Sequence, residues 1–161
     1  MPGSWSVREL PNLNDANCVV TSPRHNGYNC IAWAVGDSSR WWWPSPLPGS
    51  AYWPRGVPLE ESIQAFIQAF GTKGFTPCAD SSLEDGVEKI ALFANQVGGL
   101  LVPTHAALQL ESGEWTSKLG PLEDIMHITS DAVNGPLYGQ AVQFLSRART
   151  PLQQRQPLAI F

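Results

Sequence analysis

Apolar residues recur at a clear helical interval in one stretch of the chain. In LEESIQAFIQAF (59–70), Leu59, Ile63, Phe66, Ile67 and Phe70 fall at i, i+4, i+7, i+8 and i+11, which is one face of an α-helix. Pro58 suits its start and Gly71 its end. A shorter apolar run, CIAWAV (30–35), sits between Asn29, a good N-cap, and Gly36, a good stop. It predicts a buried helix of about two turns. Further on, EKIALFA (88–94) and LLVPTHAALQL (100–110) read as strands flanking a Gly-Gly turn. Ser112-Gly113 then turns the chain into a third strand, EWTSKLG, antiparallel to the second. Residues 124–128 add an edge strand. After the turn Asn134-Gly135-Pro136, the run LYGQAVQFLSRA puts Tyr138, Ala141, Val142 and Leu145 on one helical face, predicting a closing helix.

Between the first two helices the pattern breaks down. Residues 37–58 hold Trp41, Trp42, Trp43, Tyr52 and Trp53 among five prolines, which forbid a long helix or a central strand. This segment reads as a long loop ordered by its aromatic rings. The order of elements predicts an α+β domain at 28–149, preceded by an arm at 1–27 and followed by a tail at 150–161.

Composition narrows the function. With 161 residues, 43% hydrophobic, the chain can bury one ordinary core. Its net charge of -4, with scattered Lys and Arg, excludes a nucleic-acid footprint. No apolar run approaches the roughly 20 residues that span a bilayer. Residues 1–10 lack a signal peptide's basic start and apolar stretch, so a cytoplasmic product is expected, with signal-less export left open. Cys18, Cys30 and Cys78 are too few and too widely spaced for a disulfide framework, although a Cys18–Cys78 pair would spare Cys30. Together with His25, His105 and His127 they show no metal-ligand spacing, so neither metal nor cofactor is expected.

Two residues stand out chemically. Cys30 would occupy the first turn of its helix, where free N–H groups favour a thiolate and can hold an oxyanion. On that ground it is the thiol expected to react first with an alkylating agent. His105 opens the strand HAALQL, at a sheet end where an imidazole can meet a helix start from elsewhere in the chain. Either could equally be a plain core residue. The tryptophans could line a substrate groove by stacking, or plug the core beneath the loop.

A Cys opening an apolar helix, a downstream strand beginning with His, and a polar residue on the next strand resemble papain-like cysteine peptidases and amidases. The likeness is to their compact bacterial branch, which includes cell-wall peptide hydrolases. The stretches NCIAWA, HAALQLESGEWTSKLG and DIMH are also similar to an uncharacterised bacterial domain family of that layout. The resemblance implies a papain-like fold, with the Cys helix packed on a small antiparallel sheet carrying His. It implies Cys30 as nucleophile and His105 as base, acting on an amide or ester in a peptide, glycan-linked peptide or protein. The third position departs from the pattern, carrying Thr116, Ser117 and Lys118, and Asp124 is the favoured orienting residue. Asn29, Trp41, Trp42, Trp43, Trp53 and Ser117 complete the expected substrate site. The alternatives are a catalytically inactive binding module and an effector-type deamidase or transferase acting on a partner protein.

Overall fold

A computed structural model describes residues 3–149. Its centre is the hairpin that the alternation in the sequence marks out. Strand β3 (Val87–Val97) turns at Gly98-Gly99, both at positive φ, into β4 (Leu100–Gln109). Residues Ile90 to Ala94 and Ala106 to Gln109 are buried whichever way they point, so this hairpin is covered on both faces. Strands β5 (Trp115–Lys118) and β6 (Asp124–His127) continue the meander. With β1 (Cys18–Ser22), β2 (Thr76–Cys78) and β7 (Gln140–Ala148) they form one antiparallel sheet, ordered β1-β6-β5-β4-β3-β7-β2.

The two faces of this sheet have different covers. Helices α1 (Cys30–Ala34) and α2 (Ile63–Gly71) lie over Ile90, Leu92, Ala106, Leu108 and Leu145. On the opposite face, Trp5, Leu10 and Leu13 from the N-terminal segment, with Val133 and Tyr138, cover Ala91, Phe93, Ala107 and Ile125. Strand alternation divides the residues between these two cores.

The expected fold class is therefore corrected. A seven-stranded sheet dominates a β-rich domain, and the two α-helices, 5 and 9 residues long, are minor. It is not a helix packed on a small sheet, as the papain-like expectation had it. Two misread segments account for the difference. Residues 140–148 form β7, not a closing helix. Their apolar positions fit a helical face, but Leu145 points into one core while Ala141 and Phe144 pack against the other. A strand inserted between β3 and β2 satisfies both. The described part of the expected arm, residues 3–27, belongs to the fold, because β1 pairs with β6 and Trp5, Leu10 and Leu13 are buried. Helix α2 also starts later than its periodicity implies. Ser62 caps it by accepting from Ala65 N–H at 3.1 Å, which leaves Leu59 outside and exposed. The tail at 150–161 lies outside the described residues.

Phe66 is fully buried in α2, edge-on to Trp43 at 5.2 Å between ring centroids. Phe66→Ala should cost about 3–5 kcal/mol, because the fixed sheet beneath cannot collapse into the space. Urea unfolding measures this, and an unchanged midpoint would refute the packing described.

Candidate active site

Strands β4 and β5 pair only at Leu108 with Thr116 and Gln109 with Trp115. Beyond those pairs the ladder ends, and the start of α1 fills the opening. Asn29 fixes that start. Its side-chain oxygen accepts from Ala32 N–H and Trp42 N–H, and its amide donates to the Trp42 carbonyl at 2.9 Å. One side chain thus caps α1 and ties it to the Trp-rich loop. Asn29 is committed to structure, although it also borders the adjoining cavity.

Cys30 opens α1 and shares its core with Ala106, whose backbone N–H acts on the thiol. Burial pushes the thiol up to about 11, against the opposing pull of that N–H, those of Ile31 and Cys30, and the Lys118 charge. The resting group is a neutral thiol, so the expectation of a standing thiolate is corrected: α1 is too short and the site too dry. Cys18 is also buried, Cys78 is the most exposed of the three, and all three are free thiols.

His105 immediately precedes Ala106 but faces the other way, sharing the face of Phe93 and Ala107. Its ring is fully buried, stacked on Tyr138 at 4.0 Å between centroids and 13° from parallel. Gly139 makes that stack. At φ 72° it lets the chain turn tightly after Tyr138, and a Cβ there would overlap the Ala94 carbonyl.

A buried chain of hydrogen bonds runs from His105. Its Nε2 lies 3.0 Å from Ser117 Oγ, Ser117 Oγ lies 2.8 Å from His127 Nε2, and His127 Nδ1 lies 2.8 Å from the Thr129 carbonyl. A carbonyl only accepts, so His127 carries its proton on Nδ1. Its Nε2 is then an acceptor, Ser117 donates to it, and Ser117 in turn accepts from His105 Nε2–H. The protons therefore leave His105 Nδ1 as a bare lone pair. That atom is buried with no hydrogen-bond partner among the described residues. Burial, then the neighbouring His127, holds His105 well below the usual histidine range. Burial also lowers His127 to about 4, against the raising effects of Thr129 and Asp131.

Asp124 is not the orienting residue. It accepts from Ser22 Oγ and from Tyr28 Oη, the latter at 2.8 Å, on the α1 face of the sheet. Ser117 is the side chain against His105 Nε2, and it is fully buried, out of the reach of a ligand expected to touch it. His127 reaches His105 only through Ser117, on the strand between them.

The expected aromatic wall divides. Trp41 and Trp43 line a cavity of about 390 Å³ together with Cys30, Thr104 and Tyr138. Trp42 is fully buried and donates to Asp37 at 2.9 Å, and Trp53 packs on Phe66 with its N–H on the Pro58 carbonyl. Among the described residues no His, Cys, Asp and Glu cluster could hold a metal ion, and no helix is long and apolar enough to cross a membrane.

The DUF7689 family model, described as a domain of unknown function, matches residues 19–146. The chain belongs to this family. No curated protein and no solved structure matches it. The DUF7689 match spans β1 to β7 up to Ser146 and so contains Cys30, the whole His105–Ser117–His127 chain and both cavity tryptophans. Trp5, Leu10 and Leu13, which close the second core, lie ahead of it.

Two measurements test this electrostatic picture. His127 folds in the neutral state, so the stability it confers is complete above pH 6.5 and is lost as pH falls towards 4. At pH 5 the loss is about 2 kcal/mol, with His105 acting in the same direction. Urea unfolding at pH 7 and pH 5 should show it, and His127→Asn should reduce the difference. An unreduced difference in that variant would assign the acid sensitivity elsewhere. Secondly, iodoacetamide at pH 7 should modify Cys78 before Cys30, and Cys30 should label faster as pH approaches 11. Preferential labelling of Cys30 at pH 7 would contradict a neutral buried thiol.

Proposed function

We propose that this domain is a thiol-dependent hydrolase or acyltransferase, with Cys30 as nucleophile, His105 Nδ1 as base, and Ser117 and His127 holding the imidazole in its reactive tautomer. The observation that carries the reading is the bare, buried Nδ1 of His105, whose tautomer is dictated by a three-residue chain ending on a carbonyl. Cys30 packs in one core with Ala106, the residue that follows His105. The order of a Cys-opened helix and a His-led strand, which resembles that of papain-like cysteine hydrolases, supports the same roles for both residues.

In the reaction, the Cys30 S–H proton passes to His105 Nδ1 as sulfur bonds to the carbonyl carbon of an amide or ester. The backbone N–H groups beside Cys30 stabilise the oxyanion. The C–N or C–O bond breaks, and the leaving group takes the proton from Nδ1. Water or another nucleophile then gives a proton to Nδ1 and attacks the thioester, which releases the acyl group and restores the thiol. A neutral pair suits this route, because the base is unprotonated at neutral pH and the thiol is deprotonated only as it attacks. Peptides and proteins, including glycan-linked peptides, are the substrates that offer such bonds.

The test is acylation by p-nitrophenyl acetate, followed by intact-protein mass spectrometry and peptide mapping. The wild type should gain one acetyl group on Cys30, and Cys30→Ser should gain none there. His105→Asn should slow acylation by about 10²–10⁴-fold. Since His105 is held low, the wild-type rate should persist below pH 6.5. Acetylation of Cys30 at an equal rate in wild type and His105→Asn would remove His105 from the reaction. A second reading, an inactive binding module, is favoured by the uncharged resting thiol and its 6% exposure. An unreactive Cys30 in a protein that still fills its cavity would establish it.

A further inference from the structure

The cavity beside Cys30 has an unusual lining for a site of this size. No Asp, Glu, Lys or Arg is among the described residues that border it, and three of its walls are aromatic rings: Trp41, Trp43 and Tyr138. Both indole N–H groups are already used. Trp41 donates to the Asn26 carbonyl at 2.5 Å and Trp43 to the Glu61 carboxylate at 3.3 Å, so each ring offers the cavity hydrocarbon and π surface only. Three polar side chains along the wall are likewise engaged. Thr104 donates to the Tyr138 carbonyl at 2.6 Å, Ser50 to Ser45 at 2.7 Å, and the Asn29 amide to the Trp42 carbonyl.

These commitments select among ligands. A carboxylate or ammonium group entering here would lose its water and meet no opposite charge. A sugar would bring many hydroxyls to a wall whose free polar groups are few, the Tyr138 and Ser45 hydroxyls among them. A flat apolar group loses little on entering and gains ring contacts on several sides. The volume, about 390 Å³, lies at the lower end of small-molecule sites, sufficient for a ring and a short linker.

We propose that this cavity is the acyl-side specificity site and that it takes an uncharged aromatic group, held between Trp41, Trp43 and Tyr138 with its carbonyl at Cys30. The word acyl rests on the thiol chemistry proposed above, whereas the preference for a neutral aromatic group rests on the lining alone. The two are therefore tested by separate readouts.

The binding readout is saturation-transfer NMR titration with phenylacetamide, phenylacetate and N-acetylglucosamine on the full chain. Phenylacetamide should bind at least tenfold more tightly than either of the others. Trp41→Ala should weaken it by about tenfold or more. Ser50→Trp, a change at an exposed position on the rim, should block it without touching the core, and circular dichroism checks that both variants fold. No saturable binding of phenylacetamide, equal binding of phenylacetate or the sugar, or unchanged binding in folded Trp41→Ala and Ser50→Trp would overturn the assignment. The chemical readout is acylation of Cys30 by p-nitrophenyl phenylacetate against p-nitrophenyl acetate. A preference for the aromatic ester that is lost in Ser50→Trp supports the acyl-side placement. Selective phenylacetamide binding with no acylation by either ester would keep the aromatic site and remove the thiol chemistry from it.

Discussion

Strand β4 must serve two cores at once, and the site follows from that constraint. Successive side chains on a strand point to opposite faces, so a residue facing α1 is followed by one that cannot. Ala106 and Leu108 lie under the helices, and His105 and Ala107 lie under the N-terminal segment. Cys30 on α1 and the imidazole on β4 are thereby assigned to different faces of one sheet. Cys30 shares the α1-side core with Ala106, the residue next to His105 in the chain.

The end of the β4–β5 pairing explains the buried polar chain. Where the backbone ladder stops, side chains bridge the two strands instead, with His105 Nε2 against Ser117 Oγ. Burying two histidines and a serine is costly unless each is paired, and the chain pairs all of them except at one atom. The unpaired atom is His105 Nδ1. A buried lone pair without a partner is a cost that packing alone does not require. On the function proposed above, in which it receives the Cys30 proton, that cost has a chemical reason. Lys118, on the α1 face, stays apart from this chain, with its ammonium group donating to the carbonyls of His25, Gly120 and Leu122.

The sequence revealed the parts of this arrangement that obey a local rule. The β3–β4 hairpin, β5 and β6 were legible because alternation and Gly turns are properties of neighbouring residues. The same holds for the cap at Asn29 and the placing of Cys30 in the first turn. What was missed depends on contacts across the sheet. The spacing of Ala141, Val142 and Leu145 is helical when read alone, and becomes a strand only once both neighbouring cores are known. Trp5, Leu10 and Leu13 are scattered among turn formers and show no period, yet they roof the second core. Asp124 was the natural carboxylate to choose as orienter. The register, which pairs it with Lys118 on the α1 face, removes it from His105, while Ser117 takes the place.

The Trp-rich loop shows how one sequence run can serve both structure and site. Three consecutive tryptophans cannot all point inward, and the structure resolves them by hydrogen bonding. Trp42 is held from both directions, its backbone by Asn29 and its indole by Asp37, and is drawn fully into the core. Its two neighbours are then turned outward, where Trp41 and Trp43 form walls of the cavity. Asn29 therefore sets three things together: the start of α1, the depth of Trp42, and hence the direction of the rings beside Cys30. Loosening that one side chain would move the nucleophile and the cavity wall in the same step. An α1 of only 5 residues is sufficient for the site because its orientation is fixed by the loop at its N-terminus and not by its own length.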